Sequence, residues 1–237
     1  FIVGLLVFSA IILVLWLLKG HGLRHAQLEQ AIKNQTANGE AQTGYTRKQA
    51  LSESRFYLML PAMIAPSLIM TAMFFFPNEI AQSKGWSSLW VTGNYWLYSL
   101  VSVVTTIYSG TLIDRFTARR ILPLFLIPLA VALLALVPSD HGFFVVPFML
   151  FMGVSAGLYF TGFSALWAEL YGTKNLGAIK SLTNSVMVFS SAMGPALVGF
   201  LLSRDVAFES IFILLASLCL FATVMLVYAL RPTHPVI

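Results

Sequence analysis

Long apolar runs set the strongest limit on what this chain can fold into. Most of them approach the roughly 20 apolar residues that one helix needs to cross a bilayer core. Because 58% of the 237 residues are hydrophobic, the chain holds more apolar surface than a soluble domain of this length could bury. The pattern predicts an all-α integral membrane protein with seven transmembrane helices. The runs cover residues 1–18, 56–76, 93–110, 121–137, 143–168, 179–202 and 208–230.

The first run, 1–18, starts without a methionine and in the middle of an apolar pattern. No basic segment precedes it and no small-residue cleavage site follows it, which argues against a secretory signal peptide. We expect this run to be a transmembrane helix that is preceded by further sequence in the whole protein.

Basic residues are distributed very unequally between the two sides of the expected spans. Cytoplasmic loops of membrane proteins carry an excess of Lys and Arg, so the richer side is predicted to be the cytoplasmic side of a plasma membrane. The spread over several loops argues against a nucleic-acid partner. One side receives Lys19, Arg24, Lys33, Arg47, Lys48, Arg55, Arg115, Arg119, Arg120, Lys174, Lys180 and Arg231, and the other receives Lys84 and Arg204.

The long polar segment 19–54 separates the first run from the other six. Its middle, NQTANGEAQTG, is typical of a flexible loop. Near its end, Thr46 followed by Gln49 fits a capping box, which predicts a short helix over RKQALSES that leads into the next span. A link of this length marks a domain boundary.

Polar side chains are concentrated in some of the spans. In 93–110 the positions of Tyr95, Tyr98, Ser102 and Thr105 step by three or four residues, so they share one helix face. Lipid tails offer no hydrogen-bond partner to such groups, so these faces should point into the bundle or into water. Hydrogen bonding between helices is the alternative to a solute pathway. The full set of candidate pathway residues is Ser67, Thr71, Tyr95, Tyr98, Ser102, Thr105, Ser155, Tyr159, Asn184 and Ser191.

Glycines and prolines inside the spans indicate close contacts and bends. Gly153 and Gly157 form a G-x-x-x-G pattern, which permits close helix packing. Pro61, Pro66 and Pro195 each remove a backbone donor within a span and favour a bend.

A dense cluster of four charges lies between two apolar runs, in the segment GTLIDRFTARR, residues 110–120. It resembles the cytoplasmic loop signature of the major facilitator superfamily, with Thr117 at a position where that signature has glycine. AELYGTKNLGAIKS, from Ala168, resembles the family's loop between the fourth and fifth helices of each half. YTRKQALSESRFYLMLP and FFFPNEIAQSKGWS are similar to segments of bacterial monocarboxylate or oxalate–formate porters.

The resemblance implies a domain organisation. Residues 1–18 would be the last helix of an N-terminal six-helix bundle, 19–54 the cytoplasmic central loop, 55–230 the C-terminal six-helix transport bundle, and 231–237 a cytoplasmic tail. The expected partners are the lipid bilayer, the missing N-terminal half and a small-molecule substrate, with a proton as the candidate coupling ion.

The resemblance also implies a gate at the charged loop. Asp114 would meet a helix N-terminus of the other half, where the helix dipole favours an anion. Arg115 or Arg119 would meet Glu169 within this half. The complete set of gate and loop residues is Gly110, Asp114, Arg115, Arg119, Arg120 and Glu169. The alternative is that these arginines serve only as a positive anchor on the cytoplasmic side.

The function predicted from these features is secondary transport of a small solute, an organic anion among the candidates, by alternating access. No His, Asp, Glu, Lys or Arg lies near the middle of a span, which argues against an enzyme. His21 and His25 lack an evident third ligand, so neither a metal site nor a cofactor is expected. A multidrug or other efflux carrier of the same fold and a non-transporting sensor or structural half-bundle are the alternatives.

Overall fold

The computed structural model describes residues 44–231. The expected helix at 1–18, the part of the link up to residue 43 and residues 232–237 lie outside the described residues.

Ten α-helices make up most of the described chain. They are α1 (Arg47–Ser52), α2 (Ser54–Phe75), α3 (Pro77–Ser83), α4 (Ser88–Gly93), α5 (Tyr95–Phe116), α6 (Ala118–Ile121), α7 (Leu126–Leu136), α8 (Val145–Tyr171), α9 (Leu176–Leu202) and α10 (Phe208–Leu230), with 3₁₀ turns at Leu122–Leu124 and Gly142–Phe144. Six helical segments of this part of the chain are long and apolar enough to cross a membrane, and they coincide with the six predicted runs that follow the link. The all-α membrane bundle is thereby confirmed.

Helix α1 begins at the predicted capping box. The Gln49 backbone N–H donates to Thr46 Oγ1 at 3.3 Å, and the Thr46 N–H donates to Gln49 Oε1 at 2.8 Å. These two reciprocal bonds satisfy backbone donors that a helix start otherwise leaves free. The short helix predicted before the first described span is therefore confirmed.

The six spanning segments pack side by side in the order α5, α8, α7, α10, α2 and α9. The segments containing α5 and α9 stand at the two ends of this row. In their most apolar stretches only 11% and 17% of the residues are buried, against 39–56% in the other four segments. The described chain is thus a multi-pass membrane bundle with two lightly packed end helices.

Glycines set the closest contacts in this row. A Cβ added at Gly153 would lie 2.8 Å from the Tyr98 carbonyl oxygen, and one at Gly157 would lie 2.6 Å from Thr105 Cβ. A Cβ at Gly194, in α9, would overlap the carbonyl oxygen of Leu68 in α2. The G-x-x-x-G pattern therefore permits the close α5–α8 contact, as predicted, and Gly194 does the same for α2 and α9.

The end of the bundle opposite the charged loop is held by polar contacts between its connections. Lys84 Nζ lies 2.6 Å from Glu209 Oε1 and donates to the Val137 carbonyl at 3.1 Å. Trp90 Nε1 donates to the Gly142 carbonyl at 2.7 Å. These contacts join the ends of α3, α7 and α10 and tie the start of α4 to the turn before α8.

Candidate functional site

Two adjoining cavities lie between α2, α5, α8 and α9. The Lys180 cavity has a volume of about 180 Å³ and the Tyr98 cavity one of about 230 Å³. They share three wall residues, Tyr159, Phe160 and Met187. The other walls are Phe163, Ser164, Trp167, Lys180, Thr183 and Asn184 in the Lys180 cavity, and Pro66, Ser67, Met70, Thr71, Phe74 and Tyr98 in the Tyr98 cavity.

An aromatic column on α8 forms one wall. It consists of Tyr159, Phe163, Trp167 and Tyr171, which recur every four residues and so lie on one helix face. Successive ring centroids are 5.3, 5.7 and 5.8 Å apart, within the range of favourable aromatic pairs. At its inner end Tyr159 stacks on Phe125 with ring centroids 5.6 Å apart. The column gives the cavities a stiff apolar wall.

Lys180 supplies the one charged side chain among the residues that line the two cavities. Its Nζ donates to Ser164 Oγ at 2.6 Å, a bond that links α9 to α8. The charge distribution assigned Lys180 to the cytoplasmic side, at the boundary between the preceding loop and the apolar run 179–202. Helix α9 instead begins at Leu176, so the lysine lies within the helix, about one turn from its start.

Five of the predicted pathway residues line the cavities: Ser67, Thr71, Tyr98, Tyr159 and Asn184. Ser67 Oγ donates to the Met187 carbonyl at 2.7 Å, a bond between α2 and α9. The Tyr159 hydroxyl donates to the Met63 carbonyl at 3.0 Å. Ser67 and Tyr159 therefore line the cavities and also hold helices together.

The structure divides the polar face of α5. Tyr98 lines a cavity, whereas Thr105 packs beside Gly157 of α8. Ser102 is half-buried and presents its carbonyl oxygen to the same glycine. Tyr95 packs edge-on against Phe74, with centroids 5.0 Å apart.

Two further predicted pathway hydroxyls are bound to carbonyl groups. Ser155 is fully buried and donates to the Phe125 carbonyl at 2.7 Å. This bond directs it toward the connection that precedes α7. Ser191 donates within its own helix to the Val188 carbonyl at 2.7 Å. Ser155 thus acts as a packing contact between two spans.

The charged loop predicted at 110–120 consists of the end of α5, the connecting residue Thr117 and the start of α6. Asp114, Arg115, Arg119 and Arg120 are all exposed, and a Cβ added at Gly110 would meet open space. Thr117, where the family signature has glycine, adopts φ 70° and ψ 147°. Such a conformation is nearly restricted to glycine and costs other residues about 1–3 kcal/mol.

Glu169, near the end of α8, contacts this loop. Its carboxylate accepts from the backbone N–H of Ala118 at 2.7 Å and from that of Arg119 at 3.4 Å. The Arg119 guanidinium donates to the backbone carbonyl of Glu169 at 3.2 Å. Arg119 thus meets Glu169 as the family resemblance implied, but the carboxylate itself binds backbone N–H groups just after Thr117.

A second turn at the same end follows α8. Gly172 adopts φ 74° and ψ 179°. The Tyr45 N–H donates to the Tyr171 carbonyl at 2.8 Å, and Asn175 Nδ2 donates to the Tyr45 carbonyl at 3.1 Å. The nearby Glu53 carboxylate raises the pKa of the Tyr45 hydroxyl through its charge. The end of the link is therefore attached to the connection between α8 and α9.

Of the residues that line the Lys180 cavity, the predicted pathway set contained only Tyr159 and Asn184. It missed Phe160, Phe163, Ser164, Trp167, Lys180, Thr183 and Met187. The four-residue spacing of the aromatic column was a usable signal, because such spacing aligns side chains on a helix. Nothing in the sequence pattern pairs Ser164 with Lys180, since the bond joins two helices.

Comparison with known proteins agrees with the fold. No curated protein matches the chain. The family model described as Major Facilitator Superfamily matches residues 62–237, which include five of the six candidate spans in full and most of the first. The matched region contains the charged loop, Glu169 and every lining residue of both cavities. The chain belongs to the Major Facilitator Superfamily of membrane transporters.

Proposed function

We propose that the chain is the C-terminal half of a secondary transporter that moves a small organic anion across a plasma membrane by alternating access. The Lys180 cavity carries this proposal. It lies between helices of a transporter bundle, and a lysine is its one charged wall residue. Because the half-buried Lys180 ammonium forms no ion pair among residues 44–231 and opposite charges attract, the cavity suits a solute with a negative group.

The proposed pathway runs through both cavities. Ser67, Thr71, Tyr98, Tyr159 and Asn184 supply hydroxyl and amide groups along it. Ser102 and Thr105 continue the same face of α5 toward the charged loop, and Tyr95 and Ser191 lie beyond the cavity walls. In transporters of this kind the two halves rock about a site near the membrane centre. Lys180 lies about one turn from the start of α9, so the Lys180 cavity would be the part of the pathway nearer the charged loop, and the N-terminal half would complete it.

The proposed gate is the charged loop. Asp114 would contact a helix N-terminus of the other half, and Arg115 and Arg120 would contribute to the same closed state. Exposed ion pairs are worth about 0.2–1 kcal/mol each, so such contacts can form and break in each cycle. Gly110 leaves open space beside α5, which would allow another helix to approach there.

The proposed orientation places the charged loop, the link and the C-terminus in the cytoplasm. Single cysteines at positions 38 and 140 test it with an impermeant thiol reagent in intact cells. Asn38→Cys should resist labelling and Asp140→Cys should react. The reverse labelling pattern would invert the orientation.

Transport itself is tested with the full-length protein in proteoliposomes. Radiolabelled monocarboxylates, dicarboxylates, sugars and amino acids would be offered with and without a proton gradient. We expect a carboxylate to accumulate, and we expect Asp114→Asn to slow its uptake while leaving folding intact. Asp140→Asn, which removes an exposed carboxylate at the opposite end, is the matched control and should transport normally. If no solute class accumulates, a sensor or structural role replaces the proposal.

A further inference from the structure

The chemistry of the Lys180 cavity narrows the class of solute. Its walls separate into a polar side, with Lys180, Ser164, Thr183 and Asn184, and an aromatic side, with Tyr159, Phe160, Phe163 and Trp167. A solute that satisfies both must carry an anionic group and an apolar body. We propose that the cavity binds an aromatic monocarboxylate, with the carboxylate on Lys180 and Ser164 and the ring against Phe160, beside the aromatic column; this rests on the proposed function.

The ammonium group of Lys180 has room for an acceptor. A lysine carries three N–H donors, and one of them points to Ser164 Oγ at 2.6 Å. Among residues 44–231 the ammonium makes no second hydrogen bond and no ion pair. Two donors are therefore left for a carboxylate. The Ser164 hydroxyl, which accepts from Lys180, can donate its own hydrogen to the same carboxylate.

The size and lining of the cavity fit one aromatic ring. A dry apolar cavity of about 150 Å³ is large enough to hold benzene, and the Lys180 cavity measures about 180 Å³. Phe160, which is 58% exposed, offers an accessible ring for an aromatic pair with the solute, whereas Phe163 and Trp167 are buried and reach the cavity with little of their surface. Substituents on the ring could extend past Tyr159 and Phe160 into the adjoining 230 Å³ cavity.

A second charge on the solute is disfavoured. Beyond Lys180 the remaining wall residues of both cavities are uncharged, and most are apolar. A second carboxylate would lose water without gaining a cationic partner in this half, which costs several kcal/mol. The walls that this half contributes therefore favour a monoanion over a dicarboxylate.

Lys174 offers a matched comparison for Lys180. Lys174 lies in the connection between α8 and α9 and Lys180 lies one turn into α9, but Lys174 is exposed and does not line either cavity. If Lys180 acted only as a positive anchor for membrane orientation, removal of either charge would have the same effect. If Lys180 binds a carboxylate, only its removal weakens binding.

Binding of benzoate to the detergent-solubilised full-length protein, measured by calorimetric titration, tests the proposal. We expect Lys180→Gln to weaken benzoate affinity about 10- to 100-fold, because a hydrogen bond to a charged group is lost. Lys174→Gln should stay within about twofold of wild type. Benzyl alcohol, which has the ring without the carboxylate, and acetate, which has the carboxylate without the ring, should each bind at least ~10-fold more weakly than benzoate.

Two further variants distinguish a loss of benzoate binding from a folding defect. Ser164→Ala keeps the charge and alters a different helix, and it should weaken benzoate about 3- to 10-fold. Lys180→Arg restores the charge and should recover most of the affinity lost in Lys180→Gln. Equal affinities of Lys180→Gln and Lys174→Gln, or no benzoate binding by wild type, would overturn the proposal. Accumulation of another solute class in proteoliposomes would in that case still support the transporter.

Discussion

Two turns at the same end of the bundle adopt similar backbone conformations with different residues. Helix α5 ends at Thr117 with φ 70° and ψ 147°, and helix α8 ends at Gly172 with φ 74° and ψ 179°. Glycine adopts this region freely, whereas a β-branched side chain is crowded there. The same change of direction is therefore easy to form after α8 and strained after α5.

The contacts around the two turns differ accordingly. After the turn at Thr117, two backbone N–H groups donate hydrogen bonds to the Glu169 carboxylate, at 2.7 and 3.4 Å. The turn at Gly172 is contacted by the neutral backbone of Tyr45. The comparison teaches that a strained turn is stabilised by a charged group from a neighbouring helix, while a glycine turn requires less support. We therefore expect the two turns to respond oppositely to substitution.

The largest effect is expected at Gly172. Gly172→Ala places a side chain at φ 74° and should destabilise the protein by about 2 kcal/mol, which corresponds to a fall in Tm of about 4–8 °C. Thermal unfolding in detergent measures this. Gly177→Ala is the control, because a Cβ at Gly177 meets open space inside α9 and should leave Tm unchanged or raise it. Equal Tm values for Gly172→Ala and Gly177→Ala would show that the turn after α8 does not require glycine at position 172.

The next effect is expected at Glu169. Glu169→Ala removes the acceptor for two backbone N–H groups after Thr117 and should cost about 1–2 kcal/mol, at the low end for charged hydrogen bonds because the residue is exposed. Glu169→Gln keeps one acceptor and should cost about half as much. Glu79→Ala, a change of an exposed glutamate in α3, is the control. If Glu79→Ala lowered the free energy of unfolding as much as Glu169→Ala, the loss would come from removing any negative charge and not from the hydrogen bonds at the Thr117 turn.

The sequence predicted the helices well for a physical reason. Membrane spans need long apolar runs and glycines at close contacts, and both are visible as local patterns, as in 208–230 and at Gly153. The capping box at Thr46 is similarly local, since its two partners are three residues apart. Local signals of this kind determine where elements begin, end and touch.

The candidate site was less predictable because its contacts join residues far apart in the chain. The hydrogen bond from Lys180 to Ser164 spans two helices, as does that from Ser155 to Phe125. Whether a serine in a span faces a cavity or a neighbouring carbonyl depends on helix rotation, which an apolar run does not encode. The strain at Thr117 could be suspected from the family signature alone, but its support by Glu169 could not.

A moderate gain in stability is expected at Thr117. Thr117→Gly removes the side chain from a conformation that disfavours it, and should stabilise the protein by about 1 kcal/mol, raising Tm by about 2–4 °C. In this background Glu169→Ala should cost less than in wild type, because a relaxed turn needs less support. A double-mutant cycle measures that coupling. If the free-energy changes of Thr117→Gly and Glu169→Ala were strictly additive, the Glu169 carboxylate would not be offsetting the strain at Thr117.

The smallest effect is expected at Asn175, beside the glycine turn. Asn175→Ala removes an exposed hydrogen bond of 3.1 Å to the Tyr45 carbonyl, which is worth about 0.5–1 kcal/mol. Because Gly172 holds its conformation without strain, the loss should remain local and should leave Tm nearly unchanged. Hydrogen exchange of peptides covering residues 44–52 should become faster, while peptides covering α8 keep their protection. If Asn175→Ala instead lowered Tm as much as Glu169→Ala, the glycine turn would depend on its neighbours as strongly as the threonine turn does. The difference between the two turns would then lie in their partners alone and not in the residue that occupies the left-handed position.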